Sequence, residues 1–270
     1  MNFGFIGAGN MVSAIVKGMT LGTGVYEGKN IYLSSKSISS AKKLAAECGA
    51  NACETSAEVI ANSDVVILGI KPNVLATLLP ELEKVFSEKK PLVVSIAAGK
   101  TLEYLGGFFP EGTAIVRVMP NINAKIGAST TGICVNGYVS PQQKQLVKDI
   151  FSTIGTVGEI EESQFSIFSV IGGASVAFAY LYMDALAHGA LKAGMPKKQA
   201  LQLTAETVLG SAKMVLESGE APWPLIDQVC SPGGTTIEGI TALQAGGFES
   251  VLVKAFDAVL AKDKAIGEKK

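Results

Sequence analysis

Apolar residues come in short unbroken runs through the first half of this chain: 3–6 (FGFI), 31–34 (IYLS), Val65–Ile70, Leu92–Ala97 and Ala114–Val118. Runs that do not alternate with polar residues suit strands covered on both faces, as in a parallel sheet flanked by helices. Between them the spacing predicts helices over Met11–Leu21, Ser39–Cys48 (closed by Gly49) and about Asn73–Phe86. After about Glu159 strand signals largely stop. Helical patterns then cover Gln164–Ala193, Lys197–Glu217 and Phe248–Lys264, broken at Gly194-Met195-Pro196 and Ser218–Pro224. The expected organisation is an α/β doubly wound domain over 1–160 and an all-helical domain over 161–270, the latter ending in a polar tail at Gly267–Lys270.

Ser163 to Met183 contains no charged residue, a length that passes for a membrane span. Its serines, glycines and tyrosines, and the lack of basic anchors on one side, argue against that reading. A helix buried all round, in a core or under a partner subunit, explains the same composition.

With 23 basic and 24 acidic residues the net charge is -1, so no nucleic acid or anionic membrane partner is expected, and a small-molecule substrate is. Cys48, Cys53, Cys134 and Cys230 form no CxxC pair, and the only histidine, His188, lies in a helical stretch; no metal site is expected. His188 reads as a partly buried helix histidine rather than a catalytic base. Met1 runs straight into a strand without a basic leader, which points to a cytoplasmic chain with reduced thiols.

Gly7-Ala8-Gly9-Asn10-Met11-Val12 follows a strand (ending at Ile6) and opens a helix, the context in which a glycine fingerprint binds a dinucleotide pyrophosphate and the sheet reads as Rossmann-type. Val12 stands where a third small residue is usual, so helix and strand are expected to separate slightly. The second strand ends in Ser34, Ser35, Lys36 and Ser37 with no acidic residue, which suits a 2′-phosphate and hence NADPH, NADH remaining open; the plainer alternative is a polar turn with a helix cap. Gly69, Ile70, Lys71 and Pro72 close the third strand at the ligand-binding edge, Ala97 and Ala98 leave room for a flat ring, and Asn121 offers an amide partner for it. Ser56 completes the expected cofactor set. In the helical half, Ser231, Gly233, Gly234, Thr235 and Thr236 precede a helical run, so that free N–H groups and hydroxyls converge as on an anion. Thr235 with Glu238 also fits a capping box.

GFIGAGNM at 4–11, VILGIKP at 66–72, VVSIAAG at 93–99, RVMPN at 117–121, MDALAHGALKAGMP at 183–196, GSAKMVLESGE at 210–220 and VCSPGGTTIEG at 229–239 together resemble the pyrroline-5-carboxylate reductase family along nearly the whole chain. The resemblance implies a helical dimerisation domain interlocked with that of a second subunit, often with higher assembly of dimers. It implies NADPH-dependent reduction of 1-pyrroline-5-carboxylate to proline, the substrate carboxylate on Gly233–Thr236, the Thr236 hydroxyl near the ring nitrogen, Ser231 beside it and Ser175 on the substrate side. Two stretches depart from the family: Gly172-Gly173-Ala174-Ser175-Val176-Ala177-Phe178 lacks its usual serine and proline, and Ile122-Asn123 replaces Thr-Pro. Alternatives are a related NADP-dependent imino-acid or hydroxy-acid oxidoreductase, or a non-catalytic regulatory relative.

Overall fold

The computed structural model describes residues 1–267; the last three residues of the expected polar tail lie outside them. The chain packs as two units, one formed by Met1–Gly173 together with residues 262–267, the other by Ala174–Ala261.

The first unit runs β1 (Phe3–Ile6), α1 (Asn10–Lys17), β2 (Ile31–Ser34), α2 (Ile38–Cys48), β3 (Asn51–Ala52), α3 (Ser56–Ala61), β4 (Val65–Leu68), α4 (Pro72–Lys89), β5 (Leu92–Ser95), α5 (Leu102–Gly106), β6 (Ile115–Met119), β7 (Ser129–Val135), α6 (Pro141–Ser152), β8 (Gly155–Glu159) and α7 (Phe165–Phe168). One eight-stranded sheet has the order β3-β2-β1-β4-β5-β6-β7-β8. All pairings are parallel except β6 with β7, where Arg117 faces Cys134 in an antiparallel register. The order reverses direction between β1 and β4, the point at which such sheets open a crevice beyond their carboxyl ends.

Alternation along each central strand feeds two cores. Phe5, Ile67 and Val94 pack with Val12, Ile15 and Val16 of α1, Leu44 of α2 and Ile150 of α6. Ile6, Leu68 and Val93 face Ile60, Leu75, Leu79 and Phe86 on the other side. Both faces are therefore covered, which is why these strands read as unbroken apolar runs. The sequence pattern missed β7, β8 and α6. β8 is an edge strand whose residues are half-buried or exposed, so no apolar run marks it. α6 carries a capping box, with Gln143 N donating to Ser140 Oγ and Ser140 N to Gln143 Oε1, and Pro141 in its first turn.

From Glu162 to Lys192 the chain is one helix, long and apolar enough by length and composition to cross a membrane. It begins as a 3-10 turn (Glu162–Gln164), continues through α7, passes a π-helical turn (Ser169–Ala174) and becomes α8 (Ser175–Lys192). Its first turns belong to the first unit: Phe165, Val170 and Gly172 are buried there. The division by packing falls at Gly173, within this helix.

The second unit holds α8, α9 (Lys197–Ser218), α10 (Pro222–Val229), α11 (Thr235–Ala245) and the start of α12 (Phe248–Gly267). Gly194 and Gly219, both at positive φ, make the breaks. The second break is shorter than expected, because Pro222 opens α10 instead of prolonging the loop. Ala187 and Ala200 are the only buried side chains in α8 to α10. Leu181, Leu209 and Leu216 stand 71%, 71% and 84% exposed, and an apolar groove of about 610 Å³ runs between α8 and α9. Within one chain α8 is therefore not the core helix that its composition allowed. The helices lack a hydrophobic core of their own, and so much exposed apolar surface marks a contact face.

Candidate active site

The β1–α1 turn is built by backbone geometry. Gly7 sits at φ 115 and donates its N–H to the Ser34 carbonyl at 2.8 Å. A Cβ there would strike the Gly69 carbonyl, so only glycine fits. Gly9 is the N-cap of α1, and a Cβ on it would meet nothing within 4 Å. No side chain caps α1 and its first turn holds no acidic residue, so its first amides stay free for an anion at the positive end of the helix. The residues present thus fit a dinucleotide pyrophosphate. Val12 packs against Gly69: its Cγ2 fills the space a side chain there would need. The small residue usually found on the helix lies here on the neighbouring strand.

A cleft of about 300 Å³ opens at the carboxyl ends of β1, β4, β5 and β6, bringing together Gly9, Asn10, Met11, Gly69, Ile70, Lys71, Ala97 and Ala98 from the expected cofactor set. Pro72 opens α4 directly after Lys71, the exposed N-cap residue. Ile6 and Gly7 lie buried behind the cleft, with Ala8 half-buried. Met119 and Pro120, from the crevice loop the sequence places after the fifth strand, line it too, as do Arg117 and Phe165, which the sequence reading named as neither catalytic nor binding residues. Arg117 carried a usable signal: a cation inside the apolar run Ala114–Val118, at the ligand-binding end of a strand.

At the end of β2, Ser34 is buried and hydrogen-bonded to Ser56, Oγ to Oγ, at 3.1 Å. The Ser35 hydroxyl donates to the Ser37 carbonyl, and Lys36 is exposed. Ser37 occupies the N-cap of α2, but its hydroxyl bonds Ser39 and caps nothing. The polar turn is real, whereas the side-chain cap is not formed. Asn121, expected to face the crevice, is 7% exposed and engaged within the fold. Its Nδ2 donates to the Gly172 carbonyl at 2.8 Å and its Oδ1 accepts from Asn123 N, so it ties the π-helical turn to the end of β6. In that turn a side chain at Gly172 would collide with the Phe168 ring.

In the second unit, Gly233 is at φ 67 and Gly234, not Thr235, is the N-cap of α11. The capping box expected of Thr235 and Glu238 is absent, because Thr235 already lies inside the helix and no side chain caps it. Gly234 N donates to the Ser231 carbonyl at 2.9 Å, and a Cβ on Gly234 would collide with the Ser231 hydroxyl. Ser231, Thr235 and Thr236 are exposed and Gly234 half-buried, so the turn presents uncapped amides and free-standing hydroxyls. Ser175 is the half-buried first residue of α8. His188 is exposed rather than partly buried; its Nδ1 pairs with Asp184 at 3.0 Å. Lys197, also bonded to Asp184, holds that carboxyl below its ordinary range together with His188.

A Rossmann-type sheet with an anion-receiving glycine turn beside a small cleft defines a dinucleotide-dependent oxidoreductase. Residues 162–266 match the family model for pyrroline-5-carboxylate reductase dimerisation, and residues 2–99 that for NADP oxidoreductase, coenzyme F420-dependent. The chain is 38% identical to the pyrroline-5-carboxylate reductase of Methanosarcina acetivorans, over 98% of each chain. Among solved structures it resembles a pyrroline-5-carboxylate reductase from Coxiella burnetii, with a TM-score of 0.92, 32% identity and 99% of each chain covered. It also resembles the Plasmodium falciparum pyrroline carboxylate reductase with NADP bound, with a TM-score of 0.88, 28% identity and 99% and 98% covered. The chain belongs to the pyrroline-5-carboxylate reductase family.

Proposed function

We propose that this protein reduces 1-pyrroline-5-carboxylate to L-proline with NADPH, the last step of proline synthesis. The observation that carries the reading is the open glycine turn at Gly7–Gly9 beside the cleft, in a chain with this family's full-length likeness. Residues 1–160 act as the dinucleotide domain and 161–270 as the dimerisation and substrate domain. The exposed apolar faces of α8 and α9 support a homodimer formed through the helices, on which a higher assembly of dimers is built. The same covering explains the apolar helix without a membrane, in keeping with a cytoplasmic enzyme.

When bound, NADPH supplies a hydride that adds to the imine carbon of the protonated ring, leaving a secondary amine and NADP+. The chain's task is positioning. Gly9, Asn10 and Met11 would hold the pyrophosphate on free amides, Ser35 and Lys36 would suit the 2′-phosphate, and Ala97 and Ala98 would admit the flat ring. The uncapped turn of α11 at Gly233–Thr236 suits the substrate carboxylate, with the Thr236 hydroxyl bonding the ring nitrogen and Ser231 supporting the loop. No histidine is required, because a protonated imine needs no strong general base.

Purified protein is expected to oxidise NADPH when given pyrroline-5-carboxylate, and to prefer the five-membered imino acid over its six-membered homologue. Thr236→Ala should lower turnover by about tenfold, the value of one hydrogen bond made in the transition state, while NADPH affinity stays within about twofold. Bound cofactor without turnover would instead indicate a regulatory relative, and equal loss of turnover and NADPH affinity would remove Thr236 from its assigned place.

A further inference from the structure

Arg117 is the sole arginine of a chain that otherwise draws its basic side chains from lysine, and it lies 8% exposed in the wall of the cleft. Its Nη1 is 3.1 Å from Glu162 Oε1, and its guanidinium stacks 4.3 Å from the centroid of the Phe165 ring. Glu162 Oε1 also accepts from Leu102 N at 2.6 Å, so the carboxylate is held from two sides. Lysine has neither the planar stacking face nor the forked donors of this arrangement. A buried unit charge here acts through a medium of low effective dielectric on whatever occupies the cleft.

Reduced nicotinamide is neutral and oxidised nicotinamide carries a positive charge. An uncompensated guanidinium in this wall would therefore oppose the oxidised ring and leave the reduced one untouched. We propose that the Arg117–Glu162 pair sets the relative affinity of the cleft for the oxidised and reduced cofactor. Arg117 holds Phe165 as part of the wall, and Glu162 cancels the charge this requires. The inference rests on the NADPH reading and adds to it a pair that governs the balance between cofactor and spent product.

The test is the ratio of NADP+ to NADPH dissociation constants, measured by titration calorimetry on the full-length protein. Glu162→Gln keeps an acceptor for Leu102 and Arg117 but loses the charge; it should weaken NADP+ relative to NADPH by about tenfold, the effect of one unit charge about 12 Å away at an effective dielectric near 20. Arg117→Gln should move the ratio by a similar factor in the opposite direction, and the double variant should return it to roughly the unsubstituted value. Arg117→Lys, which keeps the charge, should leave the ratio unmoved even where both affinities fall. General loosening of the wall weakens both nucleotides together and cannot mimic these signs. A ratio unchanged in Glu162→Gln, or moved the same way in both single variants, overturns the inference while the NADPH reading stands; failure of the unsubstituted protein to bind either nucleotide overturns both.

Discussion

Gly69 and Val12 make a sharp test of how this fold admits its glycine turn. Val12 is 1% exposed, and a Cβ at Gly69 would overlap its Cγ2. Gly69→Ala should therefore destabilise by about 1–3 kcal/mol through overpacking. Val12→Ala removes two buried carbons, about 1.6 kcal/mol of transfer energy at roughly 0.8 per carbon, rising to about 2–3 kcal/mol with the cavity left behind. Combined, the new methyl enters the space the valine vacated, so the double variant should cost less than the sum by about 1–2 kcal/mol. Equilibrium urea unfolding at fixed protein concentration measures the cycle, since assembly would otherwise shift each midpoint. Because Gly7 also packs on the Gly69 carbonyl, NADPH affinity should fall in Gly69→Ala and recover in the double variant. Costs that add to within about 0.5 kcal/mol would refute the reasoning, since separate sites add to that precision.

Ser140→Ala should destabilise the first unit by about 1 kcal/mol by opening the capping box of α6, and Ser140→Thr should retain most of that stability in the same urea titration. Asp64 accepts the Asn2 amide at 2.9 Å, and that bond first, with Lys89 adding to it, lowers its pKa. Its folded pKa being depressed, its contribution is present above the unfolded value near 4 and lost as pH falls through the folded one. Half-exposed and screened, it is worth no more than about 1 kcal/mol. Asp64→Asn should thus lower thermal stability slightly at pH 7 and not at pH 2, and a larger loss at the acid end would contradict the sign.

The central strands were legible because they are covered on both faces, and the β1–α1 turn because glycine alone satisfies its backbone. β8 was not, since GTVGE lies at the sheet's edge where burial does not impose an apolar run, and β7 was not, since its buried positions include Ser129, Thr131 and Gly132. α6 was readable from Ser140, Pro141 and Gln143, signals local to the chain that pattern reading passed over. In the cleft, the main-chain contributors at 9–11, 69–71 and 97–98 were legible as motifs. Phe165 was not, because what brings it there is the packing on β6 of a helix that begins some forty residues later.

By itself the sequence determined the elements whose signals are local: the apolar runs of the central strands, the helical periods, the glycine positions and the loop before α11, since each depends on neighbours within a few residues. Only the tertiary structure decided that Asn121 is spent on the Gly172 carbonyl, that Gly69 takes up the bulk of Val12, and that Arg117 of the cleft wall meets Glu162 behind it. Those are contacts between segments far apart in the chain, and the free energy of such a contact depends on which partner the fold brings within reach, a quantity no local pattern encodes.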